Sequence, residues 1–172
     1  MDDCVALARA LGERAGTALG IPIFLYENAA STPQRENLAD VRRGEFEGLR
    51  DEIPKNAERI PDFGPRHVHA TAGATAVGAR PFLVAYNVYM GDTKNVPVAK
   101  EVAKAVRGSS GGLRYVKGLG LEVDGQAQVS MNLVDVEKTP MHRAYDVVKL
   151  EAAARGVATT WSELVGLVPE KA

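Results

Sequence analysis

Two of the three histidines in this chain, His67 and His69, stand one residue apart in a run of small and basic residues. The run reads Gly64-Pro65-Arg66-His67-Val68-His69-Ala70-Thr71-Ala72-Gly73 and continues through Gly78 to Arg80. Imidazoles gain and lose protons near neutral pH, which suits them to proton transfer. Arginines and the open backbone amides of a glycine-containing loop can clamp carboxylates on a flat anionic ligand. The same composition also fits a plain surface connector with solvated histidines, so residue types alone leave both readings open. On an extended strand His67 and His69 would point the same way, and a His-x-His pair can ligate a transition metal. Only Asp62 stands near as a third ligand, short of the usual three or four, and no metal is expected.

Other candidates carry less chemistry. Ser109-Ser110-Gly111-Gly112 follows a helix rather than preceding one and lacks Gly-Lys-Ser/Thr, so it reads as a helix end and turn. Cys4 lies on the apolar face of the first helix and is expected in the core. His142 falls in the first turn of a helix, with the surface as its default place. No serine lies in a Gly-x-Ser-x-Gly turn and no cysteine stands near a histidine, so covalent hydrolase chemistry has no support.

These groups must be positioned by secondary structure, and the pattern falls into two parts. Cys4, Leu7, Leu11, Ala15 and Ala18 recur at helical spacing, with Asp2 and Asp3 at the start and Gly20 at the end. Ile21 to Tyr26 reads as a buried strand. Leu38, Val41, Phe46 and Leu49 predict two short helices broken at Gly44, and Pro61 to Pro65 is strong turn punctuation. Small residues from Gly73 to Arg80 would let a backbone come close to something.

From Pro81 the pattern becomes regular. Strands are expected over Phe82–Met90, Leu113–Val123 and Gln128–Val136, with Asp124-Gly125 as a two-residue hairpin turn. Helices are expected over Val96–Arg107, with Val98, Val102, Ala105 and Val106 on its apolar face, and after a Thr139 cap opened by Pro140. Val157–Leu167 offers one more extended segment. The order β-α-β-β-α-β is the ferredoxin-like split βαβ arrangement, which leaves one sheet face to be covered by a second sheet, a partner chain or a ligand. The fold class is therefore α+β, with Arg80-Pro81 as the boundary between domains 1–80 and 81–172.

The 172 residues are 45% hydrophobic and 25% charged, the composition of a globular protein, with a net charge of −1. Such a balance leaves no global field for nucleic acid or a membrane surface, so any anion site must be local. A single cysteine excludes an intramolecular disulfide and fits a reducing, cytoplasmic setting. Met1-Asp2-Asp3-Cys4 does not open a signal peptide, and no apolar stretch is long enough to span a bilayer.

Several separate runs, in order, resemble the glutamate formiminotransferase family. They are Gly20-Ile21-Pro22-Ile23-Phe24-Leu25-Tyr26-Glu27, Arg43-Gly44-Glu45-Phe46-Glu47-Gly48-Leu49, Pro61-Asp62-Phe63-Gly64-Pro65 and Thr71 to Arg80. Ala85-Tyr86-Asn87-Val88, Gln128-Val129-Ser130-Met131-Asn132 and Leu164-Val165-Gly166-Leu167-Val168-Pro169 continue the likeness across essentially the whole chain.

The resemblance implies transfer of a formimino group from N-formiminoglutamate to tetrahydrofolate, a step of histidine degradation. It implies two subdomains whose sheets face each other, helices outside, with folate and donor in the groove between them. The family's folate-contacting stretch corresponds to Gly64, Pro65, Arg66, His67, Val68, His69, Ala70, Thr71, Ala72 and Gly73. Tetrahydrofolate is thus the expected co-substrate, with small-molecule substrates and no nucleic acid or membrane partner. The family's proton-shuttling histidine lies in a His-Pro-Arg-Met-Gly-type motif that these residues do not contain, and no cyclodeaminase domain is present. The expectation is a partial formiminotransferase, 1–80 from its N-terminal and 81–172 from its C-terminal subdomain, unable to turn over alone. A non-catalytic folate-binding or dimerising module, a possible homodimer through an apolar sheet face, is the alternative.

Overall fold

The computed structural model describes residues 1–170. It divides into two compact units, one running from Met1 to Arg80 and the other beginning at Pro81.

In the first unit, helix α1 spans Asp2–Leu19 and ends on Gly20, whose φ of 64° supplies the left-handed turn that stops it. Its buried face is Ala8, Gly12 and Gly16, with Val5 and Ala15 half-buried. This corrects the face that apolar spacing selects: Leu7 and Leu11 are 69% and 58% exposed, and Cys4 is exposed too. The reason is closeness of approach. A Cβ on Gly16 would lie 2.8 Å from the backbone nitrogen of Gly64, and one on Gly12 would lie 3.1 Å from both Ile23 and Phe63. Small residues let α1 settle onto the strand and turn, so the larger apolar side chains face outward.

Strand β1, Ile23–Glu27, pairs in parallel with β2, Thr75–Ala79, in register from Ile23 opposite Thr75 to Glu27 opposite Ala79. The small-residue stretch after Gly73 is therefore a strand. Its composition carries little strand propensity, and pairing with β1 supplies what propensity does not. Gly78 has a specific role, because a Cβ there would sit 2.6 Å from the Tyr26 ring. Between the strands run α2, Leu38–Val41, and α3, Glu45–Glu52, separated at Gly44 as the pattern predicts, with φ of 80°. Ile23 and Leu25 pack with Ala8, Ala29 and Ala79, while Phe24 packs with Val41 and Ile53.

A buried ion pair ties this unit together. Arg35 donates to the Asp62 carboxylate at 2.5 Å and to the Ile60 carbonyl, and its guanidinium lies over Phe24. The same Asp62 oxygen accepts the Leu25 backbone N–H at 2.7 Å, so one carboxylate joins the turn before Gly64 to the middle of β1. Arg59 donates to the carbonyls of Asp40, Val41 and Arg43 near the end of α2, and to Glu52.

The second unit runs β3 (Val84–Asp92), α4 (Val96–Val106), β4 (Val116–Val123), β5 (Gln126–Leu133), α5 (Met141–Ala153) and β6 (Ser162–Val165). The sheet order is β4-β5-β3-β6 with every neighbour antiparallel, the split βαβ topology expected from the pattern. Asp124 and Gly125 both take positive φ, 48° and 72°, as a type I′ hairpin turn requires. β3 and β4 begin two and three residues later than the apolar pattern suggests, β5 begins two residues earlier and β6 is confined to four residues of the expected Val157–Leu167 segment; Pro140 rather than Thr139 occupies the N-cap of α5. Thr139 is instead buried.

One sheet face packs Val84, Val88, Met90, Val129, Met131 and Leu133 against Val102, Val106, Val148 and Ala152 of the helices. Gly120 makes this contact close, since a Cβ there would lie 2.3 Å from the Lys100 backbone nitrogen. The opposite face is where the sequence suggested exposed apolar surface. It carries Asn87, Tyr89, Gln128, Ser130, Asn132 and Glu163 among its side chains, with Leu119 and Leu121 on β4. Trp161 and Val165 also lie on it and are exposed, so that face mixes polar with exposed apolar side chains. Among the described residues no helix is long and apolar enough to cross a membrane.

Candidate functional site

The run from Gly64 to Gly73 connects the turn beside α1 to the start of β2. Gly64 opens it with φ of 83°, and a Cβ there would come within 2.4 Å of the Ile21 carbonyl oxygen, so only glycine fits. Pro65 and Val68 are half-buried, Val68 against the Phe24–Ile53 cluster, while Arg66, His67, Ala70, Thr71 and Ala72 are exposed. The far end is closed on itself. His69 and Gly73 exchange backbone hydrogen bonds of 2.7 and 3.0 Å, and Gly73 takes φ of 67° to complete the turn.

The two histidines do not lie side by side on an extended strand. The segment bends and turns, and each imidazole is held differently. In His69, Nδ1 accepts the backbone N–H groups of Ala72 at 3.1 Å and Thr71 at 3.3 Å. That nitrogen must carry a lone pair, so the neutral ring has its proton on Nε2 and offers a donor outward. His67 is the reverse. Its Nδ1 lies 3.2 Å from the Val68 carbonyl, to which it donates, leaving the Nε2 lone pair available. The loop thus presents one imidazole as an outward donor and the other as an outward acceptor. Among the described residues no group of three His, Cys, Asp or Glu side chains comes together to hold a metal.

Beside the closed end of the loop is a cleft of about 500 Å³, lined by Ala72, Gly73, Ala74, Thr75 and Ala76 on one side and by Arg42, Glu45, Phe46 and Leu49 on the other. A Cβ on Gly73 would meet the Phe46 ring at 3.5 Å, so the ring forms a wall against the turn. Phe46 is 47% exposed, which leaves part of the ring for a ligand. The volume lies in the range of small-molecule sites, and the lining combines an aromatic wall, one cation in Arg42, the carboxylates of Glu45 and Glu47, and backbone edges. Such a cleft can hold a flat ring against Phe46 with an acidic tail towards Arg42. Of the residues from Gly64 to Gly73, Ala72 and Gly73 line this cleft and the other eight do not. Arg42 and Phe46 were missed as site residues, although Phe46 belongs to the Arg43–Leu49 run that carried the family likeness.

Of the other residues singled out, His142 is exposed on α5 and Cys4 is exposed on α1. Ser109 and Ser110 lie in a single 3₁₀ turn closed by Gly111 at φ of 93°, the turn their sequence predicts.

Comparison with known proteins adds a second line. The family described as formiminotransferase domain, N-terminal subdomain, matches residues 1–80, and the formiminotransferase domain family matches residues 85–172. A glutamate formimidoyltransferase of Streptococcus pyogenes serotype M1 is 46% identical over 172 residues, covering 99% of this chain and 57% of the relative. One from Thermoplasma acidophilum is 49% identical over 176 residues, again covering 57% of the relative. The formimidoyltransferase-cyclodeaminase of Rattus norvegicus is 42% identical over 178 residues, with 33% of its length covered. The chain spans little more than half the length of the single-function relatives it matches.

Proposed function

The chain belongs to the formiminotransferase domain family, and from that premise we propose that it serves formimino transfer from N-formiminoglutamate to tetrahydrofolate, holding the folate at the Gly64–Gly73 loop. The single observation that carries the reading is the closed His69–Gly73 turn beside the Phe46 cleft.

In the reaction the pterin N5 bonds to the formimino carbon, the bond from that carbon to the glutamate nitrogen breaks, and the proton lost from N5 balances the one gained by the departing amine. Within this chain the roles follow from geometry. The Phe46 ring offers a face for a planar group, and Arg42 a cation for a carboxylate tail. Gly64 and Gly73 hold the backbone in the shape that exposes the loop's edges. His69 is a donor, because its Nδ1 lone pair is engaged by two amides. His67 is the loop group with a free lone pair, yet it is exposed and bonded only to its neighbour's carbonyl. Neither arrangement resembles a buried, oriented general base. We therefore propose folate binding without turnover by these 172 residues, in a cytoplasmic setting.

The test is a direct one. Equilibrium binding of a reduced folate should be saturable and weakened by Phe46→Ala, while a formimino-transfer assay on the same protein should show no turnover. Turnover by this chain that is abolished by His67→Ala would overturn the non-catalytic part. Absence of any folate binding would overturn the site.

A further inference from the structure

The pairing of β3 with β6 assembles a second polar site that the loop reading does not use. Asn87 lies opposite Glu163, and the ladder continues as the Tyr89 N–H donates to the Trp161 carbonyl at 2.9 Å. All four side chains therefore share the sheet face turned away from α4 and α5. One Glu163 oxygen, Oε2, accepts both the Asn87 amide and the Tyr89 hydroxyl, each at 3.2 Å. Its other oxygen takes no bond, and no cation pairs with it, among the described residues.

This arrangement is unusual. A half-buried carboxylate is ordinarily matched by a cation, because desolvation disfavours the lone charge. Here only neutral donors hold it, and they fix its orientation. Burial, and then the Glu163 charge, push the Tyr89 phenol above its ordinary range, so it stays protonated and donating. Beside it Tyr89 and Trp161 stack with centroids 3.8 Å apart and planes 7° from parallel. The Trp161 indole is pinned through its N–H to Gln126 at 3.2 Å, and the residue remains 46% exposed. The result is an oriented carboxylate with a free oxygen beside a flat aromatic wall.

We propose that Glu163 anchors an N–C–N edge bearing two N–H donors, the group shared by a formimino substituent and by the 2-amino, N3–H side of a pterin. The Glu163 oxygen that Asn87 and Tyr89 leave free can accept from an N–H of such an edge, and a cationic edge also supplies the missing countercharge. Asn87 and Tyr89 act as positioning residues, holding Glu163 in the plane that the edge requires. The inference rests on the formimino-transfer reading for the choice of ligands, but its residues are separate from the loop.

Trp161 is the only tryptophan in the sequence, so its indole N–H gives one resolvable NMR signal that reports this face alone. The whole ¹⁵N-labelled chain is titrated with formamidine and N-formimino-L-glutamate in one arm, and with 6-methyltetrahydropterin in the other. A saturable shift of the indole signal in the first arm assigns the edge to the donor, and in the second to the pterin. Either result supports the proposal if Glu163→Gln weakens that binding by about 10- to 100-fold, the expected loss for a charge-assisted pair. Glu163→Gln keeps a carbonyl oxygen for Asn87 and Tyr89, and an unmoved indole signal in its free form shows that the face is intact. No shift with either probe, or equal binding by Glu163→Gln, overturns it. Folate binding sensitive to Phe46→Ala is measured on the same samples. If that persists while the indole is silent, the proposal fails and the loop reading stands; if both are absent, both fail.

Discussion

His69 and Gly73 face each other across a five-residue turn and bond twice through their backbones, at 2.7 and 3.0 Å. The turn closes only because Gly73 takes φ of 67°, and it is further held by the His69 ring bonding the amides of Thr71 and Ala72. Gly73→Ala should therefore weaken folate binding at this loop. A Cβ would meet Phe46 at an ordinary 3.5 Å, so crowding is not the cause. The cause is the left-handed backbone, which costs a side-chain-bearing residue about 1–2 kcal/mol. Calorimetric binding of a reduced folate checks this, and unchanged affinity would show that the turn does not shape the site.

The imidazoles should separate by mutation. His69→Ala removes an acceptor for two backbone amides and should loosen the turn, lowering folate affinity several-fold, about 1 kcal/mol for the lost bonds. His67→Ala should change affinity little, because its one bond is to the adjacent carbonyl. Parallel titrations of the two variants provide the measurement, and equal losses would contradict the tautomers assigned here.

Arg35 and Asp62 form the pair on which the first unit depends, with side chains only 11% and 8% exposed. Arg35→Ala leaves a buried carboxylate without its cation and strips donors from the Ile60 carbonyl. Breaking such a pair from one side costs about 3–5 kcal/mol. Denaturant unfolding should show the loss in whichever transition reports residues 1–80. A decrease below about 1 kcal/mol, the value for an exposed pair, would show the pair to be solvent-screened.

The Tyr89 phenol should ionise above the ordinary tyrosine value. It is pushed above the ordinary value of 10.0 first by burial and then by the Glu163 charge. The folded state thus holds the proton more tightly than the unfolded chain. The stability this contributes is fully present below pH 10.0 and is lost as pH rises through the folded value. Ultraviolet titration of the protein against Tyr89→Phe isolates the group. Glu163→Gln should lower its titration point by removing the charge, and no change would mean that burial alone acts.

Gly120 is predicted to tolerate no side chain. A Cβ would lie 2.3 Å from the backbone of α4 at Lys100, with no flexible atom to yield. Gly120→Ala should therefore displace α4 and lower stability by about 1–3 kcal/mol, the usual cost of overpacking. Gly125→Ala should cost about 1–2 kcal/mol through its φ of 72° alone, as nothing lies within 4 Å of the added atom. Thermal unfolding of the two variants, with the position of α4 followed by amide exchange, distinguishes crowding from backbone strain.

The local order of elements was written in the sequence. Period-2 runs, Asp124-Gly125, Gly20 and Gly44 encode strands, hairpin and helix ends through their own backbone preferences, so the second unit's order and the two short helices could be read directly. The motif runs likewise carried the family. What the linear chain could not show was which residues approach which. β2 exists because β1 pairs with it, and α1 buries glycines because a strand and a turn lie against it. His67 and His69, equivalent by spacing, differ only through the hydrogen bonds that the folded loop offers each ring. Glu163 gained its partners across 74 and 76 residues of chain. Spacing records contacts made within a few residues, where backbone geometry is self-determined. Packing and hydrogen bonding between distant segments depend on the whole fold, and only the tertiary structure decided them.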